Sequence, residues 1–277
     1  MRDDVSFLKI ASQWITAVLL AFTLGAFFLF ASLFQVTSEG TAHRILGRGV
    51  AITTDIDALL PHLETDLRAA AESSEGETVR VPNFPVPVDI PRGEASRIGG
   101  VDLRTRILDQ SSERLYEEGM SAWAEADTEG QQDIERVSTA GGLHRAFGLA
   151  TQEWNTIFLA AAVLFGFLSL ILATLLWIGL KSYIRLLALG AAIATAAVSS
   201  LAAAVAVRFA LRTAETEADS FEQQLIDLGV DTVWLFIRNY LILSLLGFAF
   251  LAVSSIFLWW QSRTASHSPM RHMDTAA

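Results

Sequence analysis

The sequence predicts a mainly α-helical membrane protein. Four transmembrane helices are expected, with an α-rich extracytoplasmic domain, including one short proline-rich extended segment, between spans 1 and 2. Three observations predict it. The 277 residues are 52% hydrophobic and the mean hydropathy is +0.41, more apolar than an ordinary soluble domain. The excess is concentrated in four uncharged runs, residues 14–36, 157–180, 186–207 and 241–260. The charge between those runs is uneven, acid-rich in two long connections and basic in one short one.

Residues 1–13 form a short N-terminal segment in which Arg2 and Lys9 oppose Asp3 and Asp4. Residues 14–36 are the first span. A run of about 20 apolar residues matches the hydrocarbon core when helical. A backbone immersed in lipid must satisfy its own hydrogen bonds, so helix is the only reading. The run is longer than a signal-peptide core and no small-x-small cleavage site follows, so it reads as an uncleaved anchor.

Residues 37–156 are long enough for a small domain with its own core. In "AITTDIDALLPHLETDLRAAAE" the residues Ile52, Ile56, Leu59, Leu60, Leu63 and Leu67 recur at helical spacing. This predicts an amphipathic helix bent or restarted at Pro61. The stretch "VRVPNFPVPVDIPRG", residues 79–93, holds four prolines and cannot be helix. Its "PNFP" has the spacing of a polyproline ligand, but alternation argues for structure. Phe84, Val86, Val88 and Ile90 point one way, and Pro85, Pro87 and Asp89 the other. We expect an edge segment laid on the amphipathic helices, with "RIGGVDLR", residues 97–104, as its nearest strand partner. The second helix is "TRILDQSSERLYEEGMSAWAEA", with Leu108, Leu115, Tyr116, Met120 and Trp123 on one stripe. Leu143, Phe147 and Ala150 then lead to Trp154, placed where a membrane interface begins.

Residues 157–180 are span 2 and residues 181–185, "KSYIR", a tight turn. Residues 186–207 are span 3. Ala188, Ala192, Ala196, Ser200 and Ala204 repeat every four residues, thickened by Gly190, Ala194 and Ala197. Small residues let helices approach closely in lipid. This surface packs either within the bundle, where Gly25, Gly166 and Gly247 are candidates to meet it, or against a second copy. Residues 208–240 read as a helical extension of span 3 through Phe209, Phe221, Leu225 and Leu228. An interfacial stretch follows, or the outer end of a long, tilted span 4, with Trp234, Phe236 and Tyr240 around Arg238. Residues 241–260 are span 4 and residues 261–277 a disordered tail. Trp14, Trp154, Arg185, Trp234, Arg238, Trp259 and Trp260 are the expected membrane-interface anchors.

Charge orients the chain. The 181–185 turn carries Lys181 and Arg185 and no acid. Residues 37–156 hold 21 acids and 11 arginines, net −10, and residues 208–232 hold six acids and two arginines, net −4. Short positive connections stay in the cytoplasm. Both termini are therefore expected inside, and 37–156 and 208–240 outside, in a plasma (cytoplasmic) membrane. Scarce lysine (Lys9 and Lys181 only) beside abundant Ala and Arg points to a bacterial inner membrane. The acidic outside excludes nucleic acid as a partner.

The absence of cysteine excludes disulfides, thiolate metal sites and cysteine catalysis. No ionisable residue lies at the middle of a span, where proton relays and ion-coupled carriers place one. His43, His62, His144, His267 and His272 show no tight metal spacing, although His267 and His272 share the tail with Met270 and Met273. No phosphate-binding or nucleophile motif occurs. We therefore assign no catalytic, cofactor-binding or metal residue. The expected function is non-enzymatic: the acidic domain binds or senses an envelope partner, and the lipid bilayer holds the bundle. A transport, channel or lipid-handling component is the alternative, and an envelope hydrolase using Asp109, Glu117 and Glu118 a third. The span layout is similar to that of the cell-division permeases of the ATP-binding-cassette class. "GLKSYIR" lacks the basic coupling segment that the resemblance implies. Claudin-like proteins share the layout too, but their outside cysteine pair is missing here.

Overall fold

The computed structural model describes residues 2–124, 148–180, 183–215 and 220–265. The chain is mostly helical. Its elements are α1 (Arg2–Val36), α2 (Glu39–Thr54), α3 (Ile56–Ser73), β1 (Thr78–Arg80), β2 (Asp89–Pro91), α4 (Arg92–Ala95) and α5 (Gly100–Glu118). They continue with α6 (Ser121–Ala124), α7 (Gln152–Gly179), α8 (Tyr183–Glu215) and α9 (Ser220–Ala265). Four helices are long and apolar enough to cross a membrane, over Ala11–Val36, Gln152–Gly179, Ile184–Ala214 and Gln223–Trp260. The chain divides into two compact units. One comprises Met1–Leu29, Ala162–Val205 and Phe236–Ala277; the other comprises Phe30–Ala161 and Ala206–Leu235.

In the first unit, Leu20 of α1, Leu176 of α7 and Ala192 of α8 form the centre of an apolar cluster, with Leu24, Leu172 and Ala188 around it. The helices α8 and α9 meet more closely. A Cβ placed on Gly247 would lie 2.8 Å from the Ala194 nitrogen and 2.9 Å from its Cα. One on Gly190 would lie 3.0 Å from the Phe250 Cβ and 3.1 Å from the Leu251 nitrogen. Of the three glycines expected to face span 3, Gly247 alone does so. Gly166 abuts the Phe27 ring at 3.1 Å, and Gly25 has open space. The outward faces of α7 and α9 are large and apolar, including Leu164, Phe167, Ile178, Ile242, Leu245 and Ile256. Such a surface is what lipid, not water, covers.

Helix ends in this unit are closed by side chains. The last carbonyls of a helix have no partner of their own. Gln13 Nε2 donates to the Gly179 carbonyl at 2.9 Å, and Arg185 Nε donates to the Leu180 carbonyl at 2.7 Å.

The second unit holds the larger core. Leu46 and Val50 of α2, Ile56, Leu63 and Leu67 of α3, and Leu103, Ile107 and Leu115 of α5 are buried together. α2 and α5 pack against each other at Gly47, where a Cβ would make ordinary contact with the Leu108 carbonyl and the Ser112 Cβ at 3.8 Å. The break between α2 and α3 is at Asp55, in the left-handed region (φ 45°), and not at Pro61, which lies inside α3. Two threonines prepare it. Thr53 and Thr54 turn their hydroxyls back onto the Gly49 and Val50 carbonyls, which competes with helix continuation. Aspartate is one of the few residues to tolerate the left-handed turn that follows. Pro61 removes only the bond to the Asp57 carbonyl, on an exposed residue near the helix start. Leu59, expected on the core stripe, is exposed.

The proline-rich stretch folds on itself. β1 and β2 pair antiparallel, Thr78 with Pro91, Val79 with Ile90 and Arg80 with Asp89. The Val81 N–H extends the ladder to the Val88 carbonyl at 2.9 Å. The strand partner is thus residues 78–80, not 97–104, which contribute the loop before α5 and its first turn. Phe84, Val86, Val88 and Ile90 are all buried, as the alternation requires, but Pro87 is buried with them. Arg92 Nε donates to the Ala71 carbonyl at 2.9 Å, closing the end of α3. Gly119, with φ 67°, ends α5, so Met120 reaches the core from the turn that follows and Trp123 from a separate short helix. The expected extension of span 3 ends at Glu215. Leu225 and Leu228 belong to α9, a single 46-residue helix that includes the 230–240 stretch. Leu143, Phe147 and the 266–277 tail lie outside the described residues.

Candidate functional site

A cleft among the described residues of the second unit has a volume of about 520 Å³. Two helical stripes make its walls. Arg48, Ala51, Ile52 and Asp55 stand at i, i+3, i+4 and i+7, the first three along α2 and Asp55 at its C-cap. Gln224, Asp227, Leu228 and Asp231 stand at the same spacing along α9. That spacing puts each set on one face. Asp57 and Arg104 complete the lining.

The cleft is polar and acidic, with four aspartates against two arginines. Both arginines are engaged. Arg48 Nη1 lies 3.1 Å from Asp231 Oδ2. Arg104 approaches Asp57 with Nε to Oδ1 at 2.7 Å and Nη2 to Oδ2 at 3.4 Å, a two-point contact. Asp55 and Asp227 have no ion-pair partner among the described residues. The left-handed turn at Asp55 sets where its side chain enters the cleft. The lining has no hydroxyl or imidazole, and no group of three or more His, Asp or Glu among the described residues is arranged to hold a metal ion. What remains is a recess suited to a cationic group.

A second polar position lies in the core. The His43 ring meets the Tyr116 ring edge-on, 5.3 Å between centroids. His43 Nε2 is buried with no hydrogen-bond partner among the described residues. The Tyr116 hydroxyl is pushed above the ordinary tyrosine range, first by burial and then by the Glu39 carboxylate. Asn155 Nδ2 bridges the end of α1, donating to the Phe34 carbonyl and to Thr37 Oγ1, each at 3.1 Å.

The residues singled out from sequence do not assemble into one site. Gly190, Ala192 and Ala196 are buried, and Ala188, Ser200 and Ala204 half-buried, along α8. Trp14, Trp234, Arg238, Trp259 and Trp260 are exposed, and Trp154 borders on it. Arg185 is half-buried, 5.5 Å from the Trp177 ring, and closes the end of α7. Asp109, Glu117 and Glu118 are exposed on α5. His267 and His272 lie outside the described residues. The cleft residues were missed. Their i, i+3, i+4, i+7 spacing is visible in the sequence, but it marks any helix face, and only the fold brings α2 and α9 together. No protein-family model matches the chain, and neither a curated protein nor a solved structure matches it.

Proposed function

We propose that the protein is a non-enzymatic integral membrane protein whose acidic extracytoplasmic domain binds or senses a partner in the envelope. Both termini lie in the cytoplasm in this reading, and the membrane is a bacterial plasma membrane. The short basic 181–185 turn and the net −10 of residues 37–156 support that orientation. The observation that carries the binding reading is the α2–α9 cleft, with two aspartates left over after both arginines are paired. A cationic segment of a partner protein complements it.

The test is photocrosslinking in intact cells from a probe at Gln224, on the cleft rim. A discrete adduct is expected, and it should be lost in the D55N/D227N variant and kept in D109N, at a residue that does not line the cleft. An adduct that persists in D55N/D227N, or no adduct at all, overturns the reading.

A further inference from the structure

The helix α8 carries no charge from residue 186 to residue 207. These 22 residues rise about 33 Å as helix, close to the thickness of a bilayer's hydrocarbon core. The next residue is Arg208. Arg212 follows one turn later on the same face. Neither guanidinium has a carboxylate partner among the described residues, where the ion pairs engage Arg48, Arg68, Arg80, Arg104, Arg106 and Arg114. Arg208 instead lies over the Trp234 ring of α9, 5.0 Å from its centroid. Beside them Phe209 is 71% exposed, Val207 51% and Trp234 53%.

Placement at the end of α8 accounts for Arg212 in part, because cations favour a helix C-terminus. It does not account for Arg208, which lies about two turns before that end. Nor does snorkelling alone, since a side chain at the boundary that only needs water has no reason to stack on an aromatic face. Two guanidinium groups without a carboxylate partner among the described residues, an indole and flanking apolar side chains at the edge of a hydrocarbon-length run have one chemical complement. It is a phosphate joined to acyl chains: the guanidinium fork bonds phosphate oxygens in pairs, and the apolar flank meets the first methylenes. We propose that Arg208, Arg212 and Trp234 form a headgroup site for an anionic phospholipid. The site depends neither on which leaflet it meets nor on what the acidic cleft binds.

The test uses the full chain purified in mild detergent and native mass spectrometry, with phosphatidylglycerol, phosphatidylcholine and inorganic phosphate as probes. Phosphatidylglycerol adducts should survive at collision energies that strip phosphatidylcholine. The R208Q/R212Q variant should reduce them about thirtyfold, given the contribution of each surface arginine to anionic-lipid binding. R97Q, at an exposed arginine elsewhere, should leave them unchanged. Equal retention of the two lipids, or undiminished adducts in R208Q/R212Q, overturns the proposal. Displacement of the lipid by millimolar inorganic phosphate also overturns it, by showing a free-phosphate site. Should the double variant not fold, R212Q alone carries the test: a loss of about fivefold is expected, and no loss overturns the proposal.

Discussion

Gly247 is the residue at which side-chain size matters most. A methyl group there would sit within 3 Å of the Ala194 backbone, which cannot swing aside as a flexible side chain can. Gly247→Ala should therefore destabilise the bundle by about 1–3 kcal/mol, the usual cost of overpacking. Gly25→Ala should be neutral or slightly stabilising, because nothing lies within 4 Å and alanine favours helix. Thermal unfolding of the two variants in detergent distinguishes them; equal midpoints would refute the close α8–α9 contact. In the other unit, Tyr116 links stability to pH. Its folded hydroxyl holds its proton more tightly than in the unfolded chain. The stability it contributes is whole below the ordinary tyrosine value of about 10 and is lost as pH rises through the folded value. Tyr116→Phe should flatten that alkaline loss, read from circular dichroism melts between pH 8 and 11. His43→Phe should stabilise by about 1 kcal/mol, since it removes a buried nitrogen that has no partner among the described residues.

At the scale of elements, two short features shape the second unit. The first is the α2–α3 joint. Asp55→Gly should leave stability unchanged or raise it slightly, because glycine adopts the left-handed turn freely. Asp55→Ile should cost about 1–2 kcal/mol through the Cβ clash of that conformation. Chemical denaturation of both variants checks this, and equal midpoints would mean the turn is not what stops α2. The second feature is the hairpin of residues 78–91. Val79, Val81, Phe84, Val86, Val88 and Ile90 are all core residues. Asp89 fastens the hairpin to α5, accepting from Arg114 at 2.7 Å, while its N–H donates to Gln110 Oε1 at 3.2 Å. Deleting 79–91 should unfold the unit, seen as loss of protease resistance in that part of the chain alone. The alternation of apolar residues made the buried face legible before any coordinates. The hairpin partner was not legible, because "TVR" is three residues with no pattern of its own and pairs only once α3 has delivered the chain there.

At the scale of the whole molecule, the question open to direct measurement is orientation. The chain has no cysteine, so single cysteines report without background. In sealed cells a membrane-impermeant maleimide should label Ser96→Cys and spare Ser182→Cys. The opposite pattern would reverse the proposed topology. The four long apolar helices were readable from sequence because lipid imposes one solution on 20 uncharged residues, and that solution needs no knowledge of neighbours. The small-residue face of α8 was readable for the same reason. Its partner was not: Gly247 meets it and Gly25 does not, a distinction set by how the helices are arranged and not by composition. Phe221, Leu225 and Leu228 were read as an extension of span 3, because helical spacing fits an extension of either neighbouring span; the structure gives them to α9. The acidic cleft was the least legible feature. Arg48 and Asp231 are 183 positions apart, and no local pattern couples them. Sequence alone determined what each segment must bury and which segments can cross a bilayer, since burial and backbone satisfaction are local demands. Tertiary structure alone decided which surfaces meet, because pairing depends on shapes and charges that come together only after the chain has folded.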